Sequence, residues 1–126
     1  MREILFRGKR LKDKKWIEGS LLVLDADSGY YFITEPYKSA STLPVKDLIY
    51  NHTHLVDPDT VCQYTGLTDK NGVKIFEGDV VKSYHFSEAY GEGVVRWERD
   101  LTGFYYDYYK SMSPIETYEV IGNIFD

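Results

Sequence analysis

Histidine, cysteine and aspartate side chains are concentrated in the middle of the chain, where they suggest a transition-metal site. His52 and His54 are separated by one residue, and Cys62 follows after Asp57 and Asp59. Alternation along an extended strand would place both histidines on one face, which allows chelation. A zinc site, however, normally takes pairs of closely spaced ligands from two separate turns, and here one pair is joined only by a lone thiol. We therefore predict surface or edge-strand histidines and no metal.

Two pairs of carboxylates also invite a chemical interpretation. Asp25 and Asp27 alternate as at the start of a calcium loop, but the twelfth position of such a loop falls on Pro36, which offers no ligand. Glu77 and Asp79 are interpreted as turn carboxylates, because nothing around them implies the cleft or burial that an acid–base pair needs. We predict no catalytic residue and no cofactor, and we expect that the protein is not an enzyme.

The charge balance limits the class of partner. The 126 residues carry a formal net charge of -5, which disfavours a protein whose affinity comes from neutralising phosphates. A local basic run departs from this balance, and we interpret it as a solvated hairpin turn because Asp13 and Glu18 dilute it. The run consists of Arg7, Lys9, Arg10, Lys12, Lys14 and Lys15.

Cysteine usage and hydropathy point to a cytoplasmic protein. A single cysteine excludes an internal disulfide framework, so the fold does not depend on an oxidising compartment. No apolar run is long enough to cross a bilayer, and the first ten residues lack the apolar centre of a secretion signal. We therefore predict no membrane partner and a location in the cytoplasm.

The elements that position these side chains are predicted to be β-strands. Short apolar runs alternate with Gly, Asn and Asp turns, and 16% of the residues are aromatic, which favours β structure. The pair Asn71-Gly72 predicts a type I′ hairpin turn with positive φ at both residues. Residues 87–92 are predicted to form another turn, and residues 35–44 a loop. The clearest predicted strands are residues 3–7, 16–24, 30–34, 80–86, 93–98, 104–109 and 118–125.

These elements predict an all-β protein, since no convincing amphipathic helix interrupts them. We expect an N-terminal β-hairpin or sheet subdomain in residues 1–60. Residues 61–126 are expected to form a small SH3-like barrel, in which Gly122 allows a sharp bend of the last strand.

Four stretches of the sequence carry a resemblance to a known family. They are MREILFRG with Trp16 a few positions on, the central QYTGLTDKNGVKIFEGDVV, the strand GVVRW, and YEVIGNIF. Together they resemble the YopX-like family of phage and prophage proteins. The resemblance implies an all-β protein with a C-terminal SH3-type barrel, encoded by a bacterial virus or an integrated prophage, and it implies no activity. The residues that the family shares are here Tyr64, Gly66, Leu67, Asp69, Gly72, Gly78, Asp79, Gly122 and Asn123.

Two functions from different classes follow from these observations. The first is a non-enzymatic protein-binding or adaptor module, whose partner is a host or phage protein or a second copy of the chain in a homo-oligomer. Its predicted binding surface is aromatic and lies on whichever face of residues 104–109 is not in the core. The surface residues are Tyr84, Trp97, Tyr105 and Tyr109.

The alternative is single-stranded nucleic-acid binding, in which bases stack on Tyr or Trp while basic side chains follow the backbone. The negative net charge disfavours this alternative. Its candidate cations are Arg7, Lys9, Arg10, Lys82, Arg96 and Lys110.

Overall fold

The computed structural model describes residues 3–25, 27–36, 50–85, 88–99, 102–106, 110–112 and 117–126. These residues form antiparallel strands, one short 3-10 helix, Pro58–Thr60, and a helical segment at residues 50–52. The all-β prediction is confirmed, because strands make up nearly all of the regular structure. The strands are β1 (Phe6–Lys9), β2 (Trp16–Asp25), β3 (Tyr30–Thr34), β4 (Thr53–Val56), β5 (Cys62–Thr68), β6 (Lys74–Phe76), β7 (Asp79–His85), β8 (Glu88–Val94), β9 (Arg96–Glu98), β10 (Gly103–Tyr106), β11 (Lys110–Ser111) and β12 (Thr117–Asn123).

The first compact unit, Glu3–Gln63, is built on a sheet with the strand order β4-β3-β2-β1. A bridge between Arg10 and Val56 joins the end of β1 to β4, so the sheet curls over its own core. Ile33 and Val56 are completely buried there. The other side chains of this core are Ile17, Phe6, Leu21, Tyr31 and Val61.

Two glycines lie where this sheet is tightly packed. A Cβ atom at Gly19 would collide with the carbonyl oxygen of Thr34, and one at Gly8 would lie 3.2 Å from the Cδ1 atom of Ile33. Strands β2 and β3 can therefore approach each other only because position 19 has no side chain, and the glycine at position 8 leaves room for core side chains. Close approach of the backbone at Gly19 and Thr34, together with apolar side-chain contacts, encloses the small core of this unit.

The second compact unit, Tyr64–Asp126, contains the hairpin β5–β6 and two three-stranded sheets, β12-β7-β8 and β11-β10-β9. Its described strands do not form a closed barrel, so the predicted SH3-like barrel is not confirmed. The rings of Tyr106 and Tyr118 meet edge to face in the core, with their centroids 5.5 Å apart. The remaining buried core residues are Ile75, Val81 and Val95.

The turn predicted at residues 87–92 is wrong for its described part, because Glu88–Val94 is strand β8. This strand pairs with β7 along its whole length, with a register shift between Ser83 and Tyr84. Gly91 gave the segment its turn-like composition. In the structure Gly91 pairs with Ser83 at this irregularity, a position where strands tolerate glycine.

Candidate functional site

The predicted surface residue Tyr84 lies beneath two cations. It is on β7, next to the buried Ser83 and therefore on the face that points away from the core. The Nζ atoms of Lys70 and Lys82 lie 4.7 Å and 5.8 Å from the centre of its ring. Lys70 also pairs with Glu119 at 2.9 Å, and this hydrogen bond raises the pKa of the lysine. The ring of Tyr84 is thus part of a charged cross-strand cluster.

Trp97 and Tyr105 belong to the hairpin β9–β10 but lie on its two different faces. Trp97 is opposite Phe104, and the two rings meet edge to face at 5.1 Å. Phe104 and Tyr106 pack on the core, so alternation turns Tyr105 to the other side. Trp97 lies at the margin of the core face with 49% of its surface exposed.

The structure therefore does not bring the described members of the predicted aromatic surface onto one face. Tyr84 is on the sheet of β7, whereas Trp97 and Tyr105 are on opposite faces of another sheet. Tyr109 lies outside the described residues. Binding by these side chains stays a prediction. Trp97 and Tyr105 cannot both belong to one binding surface, because they lie on opposite faces of the same sheet.

The carboxylate of Asp69 holds the turn between β5 and β6. Its Oδ1 atom accepts hydrogen bonds from the backbone N–H groups of Asn71 at 2.8 Å and Val73 at 2.9 Å. Its Oδ2 atom accepts one from the N–H of Val120, in β12, at 3.1 Å. Burial raises the pKa of this carboxyl, but the three donated hydrogen bonds and the charge of Lys70 outweigh burial and leave the pKa below its ordinary value.

This network also corrects the predicted turn type. Gly72 has a φ of 81°, but Asn71 is not among the residues with positive φ, so the turn is not type I′. Instead the N–H of Gly72 donates to the carbonyl of Asp69 at 3.0 Å, closing a four-residue turn that ends in the left-handed glycine. The side chain of Asp69 stabilises this longer loop, as aspartate does in an Asx turn.

Asp79 plays a similar part at the start of β7. It is almost completely buried; its Oδ2 atom accepts from the N–H of Phe76 at 2.9 Å, and its Oδ1 atom from the side-chain amide of Asn123 at 3.0 Å. The carbonyl oxygen of that amide in turn accepts from the N–H of Phe125 at 2.8 Å. Both carboxylate oxygens of Asp79 therefore bind structural donors, and its role is to connect β7 with β12.

The residues that suggested metal binding are held by other interactions. His54 Nε2 lies 3.0 Å from Glu35 Oε1, and the Sγ atom of the buried Cys62 donates to the carbonyl of Thr60 at 3.2 Å. In the part of the chain that is described, no three His, Cys, Asp or Glu side chains are placed to hold one metal ion. Asp25 accepts from the N–H groups of Asp27 and Ser28 and so shapes its own turn.

The basic run divides into groups with different surroundings. Arg7 and Lys9 lie over the ring of Trp16, at 4.6 Å and 5.2 Å from its centre. Arg10 instead pairs with Asp13, and the hydrogen bond from this guanidinium lowers the pKa of the Asp13 carboxyl. The first group is a compact cation–aromatic cluster on the outer side of the β1–β2 hairpin.

A further surface, which the prediction of site residues missed, lies on the outer face of β2, β3 and β4. Leu22 is opposite Phe32, and Phe32 is opposite Leu55, so three apolar side chains form a row across the sheet. Tyr30 continues it along β3. Leu22 and Tyr30 are 43% and 53% exposed. We call Leu22, Tyr30, Phe32 and Leu55 the outer apolar patch. The unbroken apolar run Leu21-Leu22-Val23-Leu24 was the available signal, since a strand with one solvated face normally alternates.

Comparison with models of protein families matches residues 5–126 to YopX protein. The chain belongs to the YopX family. Residues 5–126 include nearly all of both compact units, so the resemblance read from the sequence is confirmed. Comparison with curated proteins found no match for this YopX-family chain. None of its described helices is long and apolar enough to span a membrane.

Five of the residues that the resemblance assigned to the family have structural roles in this YopX-family chain. Asp69 and Gly72 form the β5–β6 turn, and Asp79 and Asn123 connect β7 with β12. Gly122 lies at a register shift in β12, where the ladder is interrupted. These residues maintain the C-terminal unit, so a binding surface is better sought among side chains that point away from the cores.

Proposed function

We propose that this YopX-family chain is a non-enzymatic protein-binding module that works as an adaptor. Its partner is a protein of the bacterial host or of the virus, in keeping with the phage or prophage origin that the sequence resemblance implies. The site of action is the bacterial cytoplasm. The observation that supports binding most strongly is the outer apolar patch of the N-terminal unit.

The patch has the properties of an interface core. Its side chains come from three neighbouring strands, so their spacing is fixed by the ladder and little conformational entropy is lost on binding. Contiguous exposed apolar surface on a globular domain commonly marks an interaction site. The face also carries two aromatic rings, Tyr30 and Phe32, of the kind that is enriched in protein interfaces.

The experiment is affinity capture from bacterial cells with the tagged full chain, read by quantitative mass spectrometry. The double variant Leu22→Ser/Tyr30→Ser should lose the specifically captured proteins, because it removes the two most exposed side chains of the patch. The matched control is Val73→Ser/Ile124→Ser, in the C-terminal unit, where the side chains are 49% and 50% exposed. Equal capture by both variants, with melting temperatures unchanged, would argue against the patch.

A second candidate function is single-stranded nucleic-acid binding through Trp16, Arg7 and Lys9. The supporting observation is that both cations already lie over the indole ring. A base could stack beside this ring while the cations neutralise the adjoining phosphates. Fluorescence anisotropy of labelled oligonucleotides should then show binding that weakens with added salt and with Trp16→Ala. Absence of binding at low ionic strength would remove this candidate.

A further inference from the structure

Strand β2 is paired on a different edge in each of its two halves. Trp16 to Gly19 pair with β1, and the ladder stops where Phe6 meets Gly19. Residues 20–25 pair with β3 on the other edge. Residues 3–5, which precede β1, belong to no strand. In the described part of the chain, residues 20–25 therefore have a ladder on one edge only.

The open half of β2 has few of the features that usually protect a strand edge. Its sequence, Ser20-Leu21-Leu22-Val23-Leu24, contains no charge and no proline. Leu22, Val23 and Leu24 are all more than 40% exposed, and Leu24 reaches 66%. The one irregularity is the register shift between Val23 and Asp25, which limits the regular part of the edge to residues 20–23.

We propose that a second copy of the chain pairs with this edge, so that residues 20–23 of two copies form an antiparallel ladder. The inference rests on the proposed protein-binding function, and it identifies a second copy of the chain as the partner of the open β2 edge. An uncharged strand can meet its own copy without repulsion, and an antiparallel pair is self-complementary about a two-fold axis. Exposed main-chain groups gain hydrogen bonds, as in other cases of strand addition.

The pairing has a consequence for the neighbouring surface. It joins the sheets β4-β3-β2 of the two copies into one continuous sheet. Leu22, at the inner end of each apolar row, then approaches the row of the other copy. The outer apolar patches become one larger face, which is left for a foreign partner. Self-association through the edge and adaptor binding through the face are thus compatible.

The symmetry gives a specific test. In an antiparallel ladder, hydrogen-bonded pairs of opposed residues alternate with non-hydrogen-bonded pairs. A two-fold axis cannot exchange one kind of pair for the other, so it must lie midway between one residue and the same residue of the second copy. Single cysteines at positions 20 to 23, in a Cys62→Ser background, should therefore give a disulfide-linked dimer efficiently at one position only. The Cα separation of opposed residues in such a ladder is within the range of a disulfide. Equal or absent crosslinking at all four positions would overturn the pairing.

Sedimentation equilibrium of the full chain measures the association itself. The wild type should be in concentration-dependent equilibrium between monomer and dimer. Ser20→Lys and Leu22→Lys should each raise the dissociation constant about tenfold or more, because they bring like charges close together across the ladder. The matched control Val73→Lys, at an exposed position of the C-terminal unit, should leave it unchanged. Melting curves of dilute samples verify that the variants fold.

The results of these experiments distinguish a second copy of the chain from a foreign strand at the β2 edge. A wild type that stays monomeric at every concentration, or a dimer that tolerates both lysines, overturns the proposal. If the wild type is monomeric and Ser20→Lys abolishes capture of a cellular protein, a foreign strand occupies the edge; the second-copy assignment is then wrong and the proposed function stands. If the dimer forms but the outer-patch variant captures the same proteins as its control, the second copy is supported and the proposed function fails.

Discussion

The two compact units hold their strands together by different means. In the C-terminal unit, the buried carboxylates of Asp69 and Asp79 accept hydrogen bonds from the distant strand β12. In the N-terminal unit, Gly19 lets β2 and β3 approach each other closely. The charge differs as well: residues 1–63 contain nine basic and nine acidic side chains, whereas residues 64–126 contain six and eleven.

This difference separates a unit held by buried carboxylates from a unit that exposes apolar side chains. A carboxylate network fixes the C-terminal turns, and the acidic excess keeps that unit solvated. The N-terminal unit is electrically balanced, has a small core and exposes apolar side chains on its outer face. A surface that is electrically balanced and exposes apolar side chains is the better candidate for recognition.

The largest expected effect tests the carboxylate network. Asp69→Ala should lower the free energy of unfolding by about 3 kcal/mol, because three backbone N–H groups lose their acceptor. Denaturant titration followed by tryptophan fluorescence measures the change. The control Asn71→Ala alters an exposed side chain of the same turn and should cost much less. Similar losses for both variants would show that the carboxylate is not what holds the turn.

A somewhat smaller effect tests the closure of the N-terminal unit. Gly19→Ala should destabilise the protein by about 2 kcal/mol, because its Cβ atom would collide with the backbone of Thr34 and the strands must move apart. Ser20→Ala, at the next and exposed position, is the control. Hydrogen exchange should locate the loss of protection in β2 and β3. Wild-type stability of Gly19→Ala would mean that the approach of these strands is not tight.

The turn at Gly72 provides a third and smaller test. Gly72→Val should destabilise by about 1 kcal/mol or more, because a β-branched residue is strained at a φ of 81°. Nothing lies within 4 Å of a Cβ atom placed there, so the cost is conformational and not steric crowding by neighbours. Thermal melting measures it, with Val73→Ala as the control. An unchanged melting temperature would contradict the left-handed turn.

The smallest effect is a pH dependence that should distinguish the units. The folded-state pKa of Asp69 lies below its ordinary value, so its contribution is complete above the unfolded-state pKa, at about 4. That contribution is lost as the pH falls through the lower folded-state value. Stability measured by denaturant titration should therefore fall less steeply with acid in Asp69→Asn than in the wild type. Equal slopes would assign the acid sensitivity to other carboxylates.

Local sequence signals predicted where strands begin and end better than they predicted turn types or which face of a strand is buried. Strand β3 has the bounds predicted for it, since its aromatic and β-branched run ends at clear turn and proline signals. The turn type at Asn71 was wrong, because the sequence does not show that Asp69 bonds to a strand 51 residues away. In residues 104–106 every position is aromatic, so alternation alone did not determine which face packs on the core.

The candidate site was harder to predict for a related reason. The exposure of Leu22 depends on where β1 begins and on which edge of β2 pairs with β3. Both are set by the register between segments that are distant in the sequence. Tyr84, Trp97 and Tyr105 were grouped by residue type, but their strands belong to two sheets. The apolar run from Leu21 to Leu24 was visible in the sequence; its exposure was not.

The hydrogen bonds from β12 to Asp69 and Asp79 have a consequence for folding during synthesis. They link residues 51 and 44 positions apart, so the turns of the C-terminal unit receive their last hydrogen bonds only after β12 has left the ribosome. The strand pairings of the N-terminal unit need no residue beyond position 63. That unit can form first, and domains synthesised earlier generally do so. Ribosome-bound intermediates would then present a complete outer apolar patch while the acidic half of the chain is still unstructured.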